Sequence, residues 1–327
     1  MEVSGQGGRF STSGVMGRVV GRSGNVVTNP DLRLDGKLIT SVTSIGRDDP
    51  TTAEAQRAAT ILRILQGSEK LLDESPWIRN IWFPPNDNGL LTWPKEWSET
   101  PVMRLETPSK SPPPTLPLLN SSQRNAVNHM FSTKDDHRIT LIQGPPGTGK
   151  TSVIAAFVQR AVRSNKGGIW LVAQSNVAVK NIAEKLMSIG FENWKLLVSK
   201  DFHLGWLVRV PFYDVYFEIS FRHEHLYNKV QNHIIRSDTF NIASNKSNLK
   251  DCHVILCTLS MLSHPHINKF TKEIPLKTMV VDEASQIEVG NYISIFTNFK
   301  HSLRKLCFIG DDKQCMFYST CISMRDI

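Results

Sequence analysis

RITLIQGPPGTGKT (138–151) decides the fold. A short apolar run, RITLIQ (138–143), breaks into a turn of glycine and proline, and helical spacing resumes from Lys150 to about Val162. A strand feeding a glycine-rich turn that opens a helix is the context in which G-x-x-x-x-G-K-[ST] binds phosphate. Gly144, Gly147 and Gly149, with Pro145, Pro146 and Thr148 between them, let backbone N–H groups close around phosphate oxygens. The helix N-terminus adds a favourable dipole. In this reading Lys150 reaches the β- and γ-phosphates of ATP, and the Thr151 hydroxyl ligates Mg2+.

On the C-terminal side the texture repeats. GIWLVA (168–173), WKLLVS (194–199), HVILCT (253–258), TMVVD (278–282) and KLCFIGD (305–311) are apolar strands, with helical stretches between several of them, one near 177–189. Continuous apolar strands alternating with helices predict an α/β fold, a mostly parallel sheet covered on both faces. Ligands in such sheets bind beyond the carboxyl ends of the strands. MVVDEASQ (279–286) ends one strand in two adjacent carboxylates: Asp282 for the Mg2+ shell and Glu283 to orient and deprotonate the attacking water. CFIGDDKQ (307–314) ends another, and Gln314 is placed to hydrogen-bond the γ-phosphate and report its loss.

In this order and spacing, residues 118–314 resemble the first RecA-like domain of superfamily 1 helicases, in the branch that includes the nonsense-mediated-decay helicase. LLNSSQRNAV (118–127) resembles the family's Q motif, which implies adenine recognition by Gln123. VAQSNVAVKNIAEKL (172–186) resembles motif Ia, which implies nucleic-acid backbone contacts from Ser175 and Asn176. ILCTLSML (255–262) resembles the next nucleic-acid motif, with Thr258 as a phosphate contact. Helix capping and turn chemistry are the alternative account of these three residues. The resemblance implies an ATP-dependent helicase acting on single-stranded RNA or DNA, with Lys150, Glu283 and Gln314 catalytic.

Two stretches depart from the family pattern. After Gln314 the sequence reads CMFYSTCISMRDI (315–327), an atypical tail, and does not run on into the family's second RecA-like domain with its arginine fingers. An arginine finger contributes roughly 10³–10⁵ in rate in related enzymes. The expectation is therefore a chain that binds ATP better than it hydrolyses it, and the competing function is a catalytically weak nucleotide- and nucleic-acid-binding protein. An AAA-type ATPase shares GPPGTGKT but lacks the Q motif and the Ser-Asn motif. The second departure is the aromatic stretch LVRVPFYDVYFEISFR (207–222).

Residues 1–117 form a separate accessory region in this reading. VMGRVVG and KLITSVTSI read as strands, and 51–72 as a helix with Thr51 and Glu54 as a capping box and Ala58, Leu62 and Leu65 on one apolar face. A stretch with Trp77, Trp82, Trp93 and Trp97 then runs into the proline-rich linker ending SPPPTLP.

The excess of 38 Lys and Arg over 30 Asp and Glu gives a net charge of +8, which suits a polyanionic partner. Five cysteines without a CxxC pair read as reduced thiols, and the N-terminus has no signal-like apolar core. No apolar run is long enough to span a membrane, so an intracellular protein, cytoplasmic or nuclear, is expected. The pairs His223/His225 and His264/His266 lack the further ligands a metal site needs.

Overall fold

Seven parallel strands organise the larger part of the molecule in the computed structural model, which describes residues 2–5, 8–11, 14–20, 23–28, 39–43, 52–67, 74–84, 91–98, 118–199, 230–240 and 249–314. The chain divides into two compact units, Met1–Thr51 and Thr52–Ile327. The first contains a three-stranded antiparallel sheet, in which β1 (Glu2–Gly5) pairs with β2 (Gly8–Ser11) and β5 (Ile39–Thr43). It also contains a hairpin of β3 (Gly14–Val20) and β4 (Ser23–Thr28).

In the second unit the strands are β6 (Ile139–Gln143), β7 (Ile169–Ala173), β8 (Trp194–Val198), β9 (Ile234–Arg236), β10 (Val254–Thr258), β11 (Thr278–Asp282) and β12 (Lys305–Gly310), ordered β6-β12-β11-β7-β10-β8-β9. Every pairing is parallel. The expected strands are present within a residue or two of their predicted ends.

Alternate residues of each central strand enter two cores, which is why these strands read as unbroken apolar runs. Ile169, Leu171 and Ala173 of β7, Val254 and Leu256 of β10 and Val280 of β11 face one core. It is built from α3 (Ser121–Phe131), α4 (Lys150–Arg163) and α5 (Asn176–Ser188). Trp170, Val172, Ile255, Cys257, Met279 and Val281 face the other. There they meet α2 (Pro76–Trp82), α6 (Asn268–Glu273) and α7 (Ile293–Asn298). Each large side chain buried this way contributes roughly 1.5–3 kcal/mol.

Composition groups the tryptophan-rich stretch with the N-terminal region; contacts put it in the second unit. Trp77 has no solvent exposure, stacks near Trp93, Trp97 and Phe296, and donates Nε1–H to the Leu303 carbonyl. Arg138 fastens the same segment by donating to the Trp97 carbonyl at 2.8 Å and pairing with Asp135 at 2.6 Å.

The helix expected over 51–72 is α1 (Thr52–Leu65), but it does not pack through the expected face. Ala58, Leu62 and Leu65 are exposed, and the packed face is Arg57, Thr60 and Ile64. Arg57 donates to Asn291 through Nη1 and the buried Thr60 hydroxyl donates to the Gln56 carbonyl, while the buried Arg57 Nε has no partner among the described residues, so a polar face with one donor unmet takes the place expected of leucines.

The Thr51 cap, the linker 99–117, the stretch 207–222, His223, His225, Cys315, Cys321 and the tail lie outside the described residues. Cys257 and Cys307 are buried free thiols whose pKa burial pushes upward, for Cys307 to about 12. Among the described residues no helix is long and apolar enough to cross a membrane.

Candidate nucleotide site

Strand register brings the motifs to one edge of the sheet. Gly310 lies level with Gln143, and Asp282 and Thr258 both lie level with Ala173. Read across the carboxyl ends, the order is the phosphate loop after β6, Asp311 and Gln314 after β12, Asp282 and Glu283 at β11, Ser175 after β7, and Thr258 ending β10.

The loop after β6 is held at both ends. The Gly144 N–H donates to the Gly310 carbonyl at 3.0 Å, tying it to β12. Gly149 enters α4 in the left-handed conformation (φ 80°), and a Cβ there would sit 2.7 Å from Nε2 of Gln123. Gln123 is itself fixed: Asn120 caps α3 with a reciprocal capping box, in which the Gln123 side chain accepts from the Asn120 N–H at 2.9 Å. Its Nε2 donates to the Thr148 carbonyl at 2.9 Å. Gln123 therefore stands as a strut between α3 and the loop.

Lys150 curls over the loop, its ammonium donating to the carbonyls of Gly144 at 2.6 Å and Pro145 at 3.1 Å. Thr148 donates its hydroxyl to the same Pro145 carbonyl at 2.8 Å, while Pro145, Pro146 and Gly147 stay exposed at the loop's crest. A cavity of about 350 Å3 opens here, lined by Gly147, Gly149, Lys150, Thr151, Ser152 and Lys185. Lys185 reaches it from the third turn of α5. Sequence reasoning missed it, since a lysine within a helical run carries no motif signal.

Asp282 is buried (8% exposed), and burial pushes its carboxyl up from the ordinary aspartate range. The neighbouring Glu283 charge adds to this, while the Glu283 N–H, donating to Oδ1 at 3.0 Å, and the Lys150 charge work against it. Asp282 feels the Lys150 charge, and Thr151 lines the cavity at the same loop; a desolvated carboxylate and a hydroxyl are hard oxygen donors of the kind that fit Mg2+, which keeps several waters and takes few protein ligands. Among the described residues no group of three or more His, Cys, Asp or Glu gathers for a metal. His264 instead turns Nδ1 to the His266 N–H.

Glu283 sits in the left-handed region (φ 53°, ψ 35°), a conformation a β-substituted residue enters at a cost. Its carboxylate lies 3.5 Å from the Ser175 hydroxyl. Ser175 is also the N-cap of α5, accepting from the Ala178 N–H at 3.1 Å, so the capping account of this residue holds alongside any other. Asn176 is exposed at the first turn, and Thr258 shares a hydrogen bond of 3.1 Å with Ser260.

Two residues that sequence reasoning left unassigned organise the β12 end. Asp311 is 5% exposed; it accepts from the Lys313 N–H at 3.1 Å and from Nε2 of Gln314 at 3.0 Å. Ser285 packs on Gly310, where a Cβ would meet its backbone nitrogen at 3.1 Å, and accepts from the Asp311 N–H at 3.4 Å. Both lie inside the motifs DEAS and GDDKQ, so the signal was the motif itself.

A family model described as an AAA domain matches residues 118–201 and 219–324; the break overlaps the aromatic stretch 207–222. Regulator of nonsense transcripts 1 of Caenorhabditis elegans is 26% identical over 231 residues, covering 66% of this chain and 20% of that protein. The putative ATP-dependent RNA helicase ECM32 of Saccharomyces cerevisiae is 30% identical over 217 residues, covering 62% of this chain and 18% of that one. The ATP-dependent helicase NAM7 of the same yeast is 44% identical over 79 residues, 24% of this chain and 8% of that protein. The chain spans about a fifth or less of the length of these relatives.

Proposed function

The chain belongs to the AAA domain family, as the RecA-like lobe of superfamily 1 helicases, and from that premise we propose that it binds ATP with Mg2+ and couples hydrolysis to holding a single strand of RNA or DNA. The observation that carries this reading is the continuous edge from the phosphate loop through Gln314, Asp282 and Glu283 to Ser175 and Thr258, which supports a nucleotide site next to a strand-binding one on the same sheet.

In this reading the loop amides and the Lys150 ammonium hold the phosphates, the ammonium leaving the Gly144 and Pro145 carbonyls for phosphate oxygens. Thr151 and Asp282 hold Mg2+, which supplies charge neutralisation on the phosphate oxygens when bound. Glu283 accepts a proton from the attacking water. Gln314, braced by Asp311, answers to the γ-phosphate. Ser175, Asn176 and Thr258 meet the sugar–phosphate backbone, so base identity counts for little. Such a substrate goes with a place in the cytoplasm or nucleus.

Lys150→Ala tests the nucleotide half. Titration with a fluorescent ATP analogue is expected to show binding in the parent and none in the variant; equal affinity would sink the reading. Single-turnover ATPase with and without single-stranded RNA and DNA tests the coupling, which stimulation supports and its absence refutes.

A further inference from the structure

Glu283 and Ser175 come together from different motifs, one assigned to water activation and the other to the nucleic-acid track. Their contact has a direction. In the order β6-β12-β11-β7, the strands carrying Lys150 and Gln314 lie on one side of β11, and Ser175 follows the strand on the other side. A Glu283 carboxylate turned to Ser175 is turned away from the groups that surround the γ-phosphate. Its backbone is left-handed here, and the aim is set by side-chain torsions that can turn without moving it.

The serine is suited to the contact. Its oxygen already accepts from the Ala178 N–H, so its proton is free to be donated to the carboxylate. The N-terminus of α5, thirteen residues long, adds a favourable field for a negative charge there. At 3.5 Å the hydrogen bond is long, so little free energy is needed to let the carboxylate go.

We propose that Ser175 is a positioning residue for Glu283: its hydroxyl tethers the carboxylate on the β7 side, and a polynucleotide phosphate that takes over the hydroxyl frees Glu283 to swing toward the nucleotide. The tether rests on the ATPase reading above and deepens it. It gives the strand-binding track a direct hold on the catalytic base, through one side chain rather than a displacement of the whole lobe. The energetic logic is competition: phosphate and carboxylate are both anionic acceptors, and one hydroxyl proton satisfies only one of them.

Ser175→Gly removes the hydroxyl while leaving a residue that caps helices nearly as well as serine, and Ser175→Thr keeps a hydroxyl in place. The experiment is single-turnover ATP hydrolysis by the full chain, alone and saturated with an oligouridylate, with the KM for ATP followed in parallel. Ser175→Gly is expected to raise the polynucleotide-free rate about fivefold, as loss of one weak hydrogen bond to a charged group implies, with KM unchanged. The stimulation ratio should fall by the same factor, and Ser175→Thr should restore both values. Glu283→Gln combined with Ser175→Gly should abolish the gain. A polynucleotide-free rate in Ser175→Gly at or below the parent's, or a gain that persists without Glu283, overturns the tether. If the parent shows no hydrolysis above the Lys150→Ala background with or without oligonucleotide, the ATPase reading falls. A Ser175→Gly rate that stays at background then takes the tether with it, whereas a rate above background supports the tether.

Discussion

Asp311 holds its own turn together: one carboxylate oxygen accepts the Lys313 amide and the other the Gln314 side chain. Without it Gln314 loses its brace but nothing in the phosphate loop changes. Asp311→Ala is therefore expected to lower ATP hydrolysis about tenfold or more while leaving ATP affinity within about twofold, the split produced when a group acts in the transition state only. Single-turnover rates and a nucleotide titration check it; a parallel loss of affinity would place Asp311 in binding. Gly149 behaves oppositely. A side chain there pays roughly 1–2 kcal/mol for the left-handed backbone, and its Cβ would press on Gln123 at 2.7 Å. Gly149→Ala should weaken nucleotide binding about tenfold, measured by the same titration. The glycine was legible from the motif spacing. The part played by Asp311 was not, because GDDKQ names the residues without saying that the aspartate's two oxygens are spent on its own turn.

Among the elements, β12 carries a buried cation at its first residue. Lys305 is 8% exposed, and its ammonium donates to the carbonyls of His129 at 2.8 Å, Ser132 at 3.0 Å and His137 at 2.5 Å, joining β12 to the end of α3 and the turn after it. Lys305→Met removes a charged donor from three carbonyls and leaves that of Ser132 without it, while His129 still accepts from the Ser132 N–H and His137 from the Thr140 hydroxyl, so it should destabilise the protein by about 1–2 kcal/mol, with ATP affinity unchanged because the site is at the other end of the strand. Burial, with the Lys166 and Arg138 charges adding, draws the Lys305 pKa down to about 8 from 10.5. Between these values the unfolded chain binds the proton and the folded one does not, so this group's contribution to stability grows as pH rises from 8 toward 10.5 and is lost as pH falls through 8. The stability difference between parent and Lys305→Met, from urea melts at pH 7 and pH 9.5, should widen at the higher pH. Element positions were largely legible, since parallel strands buried on both faces announce themselves as apolar runs. The packing face of α1 was not. Periodicity points to Ala58, Leu62 and Leu65, but tertiary contacts selected Arg57, Thr60 and Ile64, with Arg57 Nη1 donating to Asn291 and Thr60 to the helix backbone. A pattern rule counts apolar side chains and is blind to a polar face held by side-chain hydrogen bonds.

For the whole molecule, the sheet order could not be read from the chain, because which strands become neighbours is decided by long crossovers rather than by local pattern. That order is what sets Glu283 between the phosphate loop and the strand ends that carry Ser175 and Thr258. Ser175, Asn176 and Thr258 are uncharged, so any electrostatic hold on a polynucleotide must come from the basic surplus of the chain, net +8. These two sources separate by salt. Neutralising phosphates with lysine or arginine releases counterions, with a slope of about 0.7 per phosphate on single strands, whereas hydroxyl and amide contacts release none. If about three phosphates are neutralised, raising salt from about 50 to 200 mM should weaken oligonucleotide binding roughly tenfold to twentyfold. Fluorescence anisotropy across that range measures it. A flat response would assign the grip to the uncharged edge residues alone. A steep one, with Ser175→Gly leaving the slope intact, would make the lysines and arginines the source of affinity and Ser175 the part that relays occupancy to Glu283.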